Sequence, residues 1–150
     1  MRIDHMTEFP AARLAMLGLE KAVHTSRPEP LLLELVKIRA SQLNGCAHCL
    51  EMHTKDAGAL GESDERMHLV VAWREAPCFT DRERAAHGRC ESLTLLPQTG
   101  APDDAYASVA AVFASEEIVA LTLAVVAIDR LAVGLRAPVG NYTPRLSTGG

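Results

Sequence analysis

The chain has 150 residues, of which 48% are hydrophobic and 4% aromatic, enough to close one core and too few for two. A formal net charge of −4 leaves no electrostatic footprint for nucleic acid or for an anionic membrane surface, both of which favour clustered Lys and Arg. Abundant Ala and Leu with few aromatics suit close-packed helices better than strands, so a single all-α domain over residues 1–150 is expected.

The start of the chain mixes Asp4, His5, Glu8 and Pro10 and has no basic segment followed by an apolar run, so it does not read as a secretion signal. A first helix is expected from about Glu8 to His24, with Leu14, Leu17, Ala22 and Val23 on its apolar face and Pro10 in its first turn. Ser26, Arg27 and Pro28 interrupt it. A second helix begins at Pro28 or Glu29 and carries Leu32, Leu35, Val36 and Leu43 toward a core until Asn44 and Gly45 break it. A third runs from Cys46 to Leu60 and is closed by Gly61; Ser63 caps a fourth that passes Met67 and Val70 to about Trp73, before Pro77. Thr80, Asp81, Arg82 and Glu83 have the capping-box pattern and open a helix to about Leu93. Pro97 and Gly100 mark a loop, Pro102 to Phe113 a shorter helix, and Ser115, Glu116 and Glu117 open an apolar helix that continues to about Val133. Residues from about 138 to 150 have little to bury and read as a tail.

The stretch from Ile118 to Ile128 is shorter than the roughly 18 apolar residues that span a bilayer, and Asp129 and Arg130 close it. It is apolar around its whole circumference. Such a helix lies either at the centre of its domain or with its second face against another subunit, and a homo-oligomer of closed symmetry is expected.

The chemistry concentrates between Asn44 and His53. Cys46 and Cys49, three apart at a helix start, can meet on one face, where unpaired backbone N–H groups favour thiolate over thiol. His53 follows Cys49 by one helical turn, at the spacing where an imidazole takes the thiol proton. If the helices on either side of Asn44 and Gly45 form an antiparallel hairpin, Glu34 falls opposite the region of Lys55, within a turn of His53, where a carboxylate would orient the imidazole. Without a secretion signal, four cysteines read as cytosolic thiols, reduced or catalytic, rather than a structural disulfide framework.

Other readings stand beside this one. Cys46, Cys49 and His53 are also three ligands of a zinc-binding or redox-sensing module, although a closed tetrahedral site needs a fourth and none is evident. His48, between the thiols, points elsewhere on the helix. Glu34 near Lys37 is ordinarily half of a surface pair, and Cys78 and Cys90, without partners at a meaningful spacing, read as packing residues. No metal, haem or flavin motif is visible.

The run from Glu34 through Lys37, Arg39, Ser41, Gln42, Asn44, Gly45, Cys46, Ala47, His48 and Cys49, then His53 to Ala57, Gly61, Glu62 and Ala72 to Glu75, resembles the core domain of the alkylhydroperoxidase AhpD-like proteins. These belong to the carboxymuconolactone decarboxylase superfamily. The resemblance covers about Leu31 to Thr94, and its specific signature is Glu, eleven residues, Cys-x-x-Cys, three residues and His. It implies an all-helical bundle with a helical hairpin carrying the cysteines, a trimer or hexamer, and reduction of hydroperoxides. Carried over residue by residue, it makes Cys49 the peroxidatic thiol, Cys46 the resolving one, and Glu34, His48 and His53 the proton relay. The disulfide then returns to dithiol through an external thiol or disulfide reductant, with no cofactor. The rival within the superfamily is lactone decarboxylation, which does not require paired thiols. Val126 to Arg130 departs from the Asn-x-Trp-Asn-Arg-like segment of relatives.

Overall fold

The computed structural model describes residues 5–135 together with 140, 143 and 144, with side chains from 7 to 128 and at 143 and 144. In chain order the helices are α1 (His5–Glu8), α2 (Pro10–His24), α3 (Pro30–Asn44), α4 (Ala47–Ala59), α5 (Asp64–Leu69) running into a 3-10 turn at Val70–Ala72, α6 (Asp81–Thr94), α7 (Leu96–Thr99), α8 (Asp103–Ala110) and α9 (Ser115–Leu135). No strand occurs among the described residues, so the fold is all-α. No described helix is long and apolar enough to cross a membrane.

Most boundaries fall where the punctuation residues place them, and the departures have local causes. Pro10 and Pro30 each occupy a first helical turn, so α2 and α3 start at the prolines, slightly later than their sequences suggest. The residues around Pro97 form a turn of helix instead of the expected loop, because Pro97 fits its start and Gly100, in the left-handed region at φ 65°, ends it. The helix expected to reach Trp73 stops at Leu69. The carbonyls freed beyond it are gathered by one guanidinium: Arg84 donates to the backbone oxygens of Trp73, Arg74, Ala76 and Phe79. The capping box forms as read, with Glu83 N–H donating to Thr80 Oγ1 at 3.2 Å and Thr80 N–H to Glu83 Oε2 at 2.8 Å. The expected tail lies outside the described residues except at Gly140, Thr143 and Pro144; the Gly140 N–H donates to Glu51 Oε2 at 2.6 Å.

Helix α3 is the centre of the molecule and packs against α4, α6 and α9. Leu33, Val36 and Ala40 join Cys49, Ala86, Cys90, Leu121, Ala124 and Val125 in one apolar cluster, whereas Leu35 and Ile38 join Ala57, Met67, Val70, Trp73 and Phe79 in another. Because α3 supplies both clusters, its polar residues have nowhere to go but inward. Glu34, Lys37 and Ser41 are all buried. Helix α9 takes the first of its two expected positions around most of its girth: Ile118, Leu121, Ala124, Val125 and Ile128 are buried within the chain, and Val119 and Val126 remain exposed.

Where α6 crosses the second cluster, His87 is fully buried between the rings of Trp73 and Phe79, at centroid distances of 5.7 Å and 5.3 Å. Neither ring nitrogen has a hydrogen-bond partner. Burial pushes its pKa from 6.5 down to about 4, with the charges of Glu83, Arg39 and Glu91 as smaller influences. The unfolded chain therefore binds a proton that the folded chain refuses as pH falls from 6.5 toward 4, and the stability present above that window is lost through it. This group alone accounts for on the order of 3 kcal/mol. In urea titrations, His87→Leu is expected to flatten the decline in stability between pH 7 and pH 4.5, and a decline as steep as the parent's would show that His87 does not cause it.

Candidate active site

The site is made by the turn between α3 and α4. Gly45 adopts φ 61°, the left-handed conformation that glycine reaches without a Cβ clash, and Cys46 N–H donates back to Ser41 O at 3.0 Å. This reverses the chain within two residues and makes Cys46 the N-cap of α4, where its Sγ accepts the Cys49 N–H at 3.2 Å. Cys46 and Cys49 are joined as a disulfide with Cα atoms 5.3 Å apart. Cys46 keeps 8% of its surface exposed and Cys49 none.

Fold-back of α4 along α3 brings the carboxylate and the imidazole together: His53 Nδ1 lies 2.7 Å from Glu34 Oε2, and both residues are buried. The hairpin thus sets Glu34 against the turn of α4 that carries His53, the placement expected from the spacing. Lys55 sits two positions on, which on a helix is nearly the opposite face, and pairs instead with Glu51 at 2.8 Å.

Burial by itself would raise the pKa of Glu34. It is outweighed by the hydrogen bond from His53 and the charges of Lys37, His53 and His24, which hold the carboxyl below its ordinary range. An ionised carboxylate only accepts, so His53 Nδ1–H donates to it, and Nε2 is the nitrogen that carries the lone pair whenever the ring is neutral. Nε2 is buried and has no hydrogen-bond partner. Glu34 thus orients the His53 ring, one helical turn beyond Cys49.

His48 is half-buried and adds to the influences, chiefly the Lys55 hydrogen bond, that hold the Glu51 carboxyl below its usual range. Cys78 is half-buried and Cys90 fully buried, neither in a disulfide; the Cys90 thiol donates to Val36 O at 3.4 Å. The sequence reading missed three participants. Asp56 is buried and offers an oxygen within a 4.8 Å group with Glu34 and His53, and its signal was the three-residue offset from His53. Lys37, 1% exposed, places Nζ 3.6 Å from Glu34 Oε1, and Glu20 reaches the same Nζ at 3.2 Å. Lys37 and Asp56 were legible only as helix neighbours of the site; Glu20 had no sequence signal.

Thiol–disulfide exchange requires a thiolate to reach a sulfur, and Cys46 is the exposed member of the pair. Glutathione added to the oxidised protein and quenched with acid is expected to appear by mass spectrometry on Cys46 with Cys49 released as thiol. Adducts chiefly on Cys49 would reverse this order of attack.

Comparison with known proteins places the chain among relatives. The model of the carboxymuconolactone decarboxylase family matches residues 7–88. The uncharacterised protein YdfG of Bacillus subtilis is 36% identical over 122 residues, covering 81% of this chain and 83% of that protein. The uncharacterised Escherichia coli protein YnjA is 30% identical over 95 residues, 63% of this chain and 51% of that one. The crystal structure of an Agrobacterium tumefaciens protein of unknown function, provisionally assigned to antioxidant defence as an AhpD protein, superposes with a TM-score of 0.86 at 42% identity, covering 93% of this chain and 99% of that chain. The debrominase Bmp8 shares the fold with a TM-score of 0.76 at 16% identity, over 87% of this chain and 72% of its own.

Proposed function

The chain belongs to the carboxymuconolactone decarboxylase family, and from that premise we propose that it is a thiol-dependent peroxidase of the AhpD type, reducing hydroperoxides through Cys49 and Cys46 with Glu34 and His53 as the proton relay. The observation that carries this reading is the buried 2.7 Å contact between Glu34 and His53, one turn beyond a Cys-x-x-Cys pair already joined as a disulfide. Lactone decarboxylation has no use for paired thiols. The antioxidant assignment of the Agrobacterium tumefaciens neighbour, at 42% identity, points the same way.

In the reduced protein, His53 Nε2 accepts the Cys49 proton, and the imidazolium is stabilised by the Glu34 carboxylate. The Cys49 thiolate attacks the terminal oxygen of the hydroperoxide; the O–O bond breaks, the alkoxide takes a proton from His53 to leave as the alcohol, and Cys49 becomes a sulfenic acid. Cys46 displaces hydroxide from that sulfur, which leaves as water, and the disulfide forms. Two electrons from an external dithiol or thiol reductant restore the pair. His48, carried over from the family signature, is proposed to pass protons between this relay and solvent. The cycle suits the reducing cytosol and needs no metal or organic cofactor.

A homo-oligomer is part of the proposal. Val119 and Val126 on α9, Leu14 and Leu17 on α2 and Phe9 just before it are exposed apolar side chains that a second copy would cover. Light scattering at micromolar concentration is expected to give a trimer or hexamer, and a monodisperse particle near the 16.2 kDa chain mass would refute it.

One equivalent of organic hydroperoxide is expected to oxidise the dithiol to the Cys46–Cys49 disulfide, and in Cys46→Ser to leave a sulfenic acid trappable on Cys49. Glu34→Gln keeps the side-chain shape and removes the charge behind the imidazole, so peroxide consumption is expected to slow by about 10- to 100-fold with the fold retained. A sulfenic acid found only on Cys46 would exchange the roles of the two thiols; a Glu34→Gln variant as fast as the parent would remove Glu34 from the relay.

A further inference from the structure

Helix α3 buries a lysine that the relay does not use. Lys37 is 1% exposed on the central helix, and its ammonium is surrounded by polar groups on two sides. On the inner side Glu34 Oε1 lies at 3.6 Å; on the outer side Glu20 Oε2 lies at 3.2 Å and His24 Nε2 at 3.3 Å, both from α2. An ammonium can only donate, so the His24 contact is a hydrogen bond when Nε2 carries the lone pair; the same Nε2 lies 3.7 Å from Glu20 Oε2. Successive contacts therefore link α2 to the imidazole: Glu20, Lys37, Glu34, His53. Asp56 of α4 is the further acid beside its inner end.

Burying an ammonium costs several kcal/mol unless it is paired, so a fully buried lysine between two carboxylates is held there by both. Its effect on the chemistry follows from its position. The Glu34 carboxylate has one oxygen committed to His53 and the other facing Lys37, which fixes the orientation of the carboxylate against the ring. The same positive charge disfavours protons on every neighbour it reaches, whereas the Glu20 carboxylate, on the far side, partly cancels it.

We propose that Lys37 is a positioning residue for the relay, holding Glu34 ionised and oriented against His53, and that Glu20 on α2 moderates its charge, so that the two residues set in opposite senses the pH at which Cys49 becomes a thiolate. The proposal rests on the reading of Glu34, His53 and Cys49 as a working relay, but it concerns proton affinity and not peroxide. It makes α2 part of the site: the helix carries no reacting group, yet its carboxylate reaches the cluster through one buried side chain.

The test is the pH dependence of Cys49 alkylation by iodoacetamide in the reduced protein carrying Cys46→Ser, with the modified site located by mass spectrometry. Lys37→Met removes the charge and keeps an unbranched side chain; it is expected to move the midpoint upward by roughly one pH unit, the scale of one unit charge acting over several ångströms at an effective dielectric constant near 20. Glu20→Gln, at a partly exposed position, is expected to move it downward by a smaller amount, and Lys37→Arg to restore most of the parent midpoint. Loss of packing alone would not shift two variants in opposite directions. If Lys37→Met does not fold, Glu20→Gln carries the test by itself: a midpoint unchanged or raised in that variant overturns the proposal, as does an unchanged midpoint in a folded Lys37→Met. No peroxide enters the measurement, so peroxidase activity can fail with this result standing, and the reverse.

Discussion

The structure depends on the burial of Glu34. A carboxylate inside an apolar bundle is tolerated only when each oxygen meets a donor or a positive charge, and both demands are met here by residues on the same hairpin: His53 at 2.7 Å and Lys37 at 3.6 Å. Once that pair of contacts is fixed, much else follows. Helix α4 must lie along α3 with His53 facing inward, Cys49 must share that face one turn earlier, and the turn at Gly45 must be tight enough to allow both. Lys37 in turn requires Glu20, which draws α2 onto the central helix.

The same constraint explains why α3 is buried on all sides. An amphipathic helix of ordinary kind would have shown its charged residues to water, and Glu34, Lys37 and Arg39 would have marked the solvent face. Instead Arg39 meets Glu91, which also accepts from Trp73 Nε1 at 2.8 Å and pairs with Arg74, so that the polar residues of α3 become links to its neighbours. Elsewhere single arginines perform similar linking. Arg82 ties Glu29, Glu117 and the Val112 carbonyl together while lying 3.9 Å above the Phe113 ring, and so fastens the starts of α3, α6 and α9. Such contacts give the hairpin a rigid frame around the Glu34–His53 contact.

The two cysteines divide their circumstances along the same axis. Cys46, at the helix N-cap, has the backbone donors and the remaining exposure; Cys49, fully buried, has the imidazole one turn away. Helix-terminus electrostatics and the neighbouring base therefore act on different sulfurs, and this separation is what gives a pair of chemically identical thiols two different parts in the proposed cycle.

The sequence by itself determined the all-α class, the longer helices and most of their punctuation, and the cluster of Cys46, Cys49 and His53, because capping patterns, proline and glycine punctuation and one-turn spacings are local and act within a few residues. The Thr80 to Glu83 box, the Gly45 reversal and the N-cap position of Cys46 are all of this kind. Only the tertiary structure decided that the hairpin on which the Glu34 placement depended does form, that Lys37 is buried and not a surface partner, that Glu20 of α2 reaches it, and that α9 is enclosed mainly by its own chain. Each of those depends on how helices distant in sequence rotate and settle against one another. A charged residue on a helix reads as solvent-facing until a carboxylate on another helix is known to lie beside it, and no spacing along the chain carries that information.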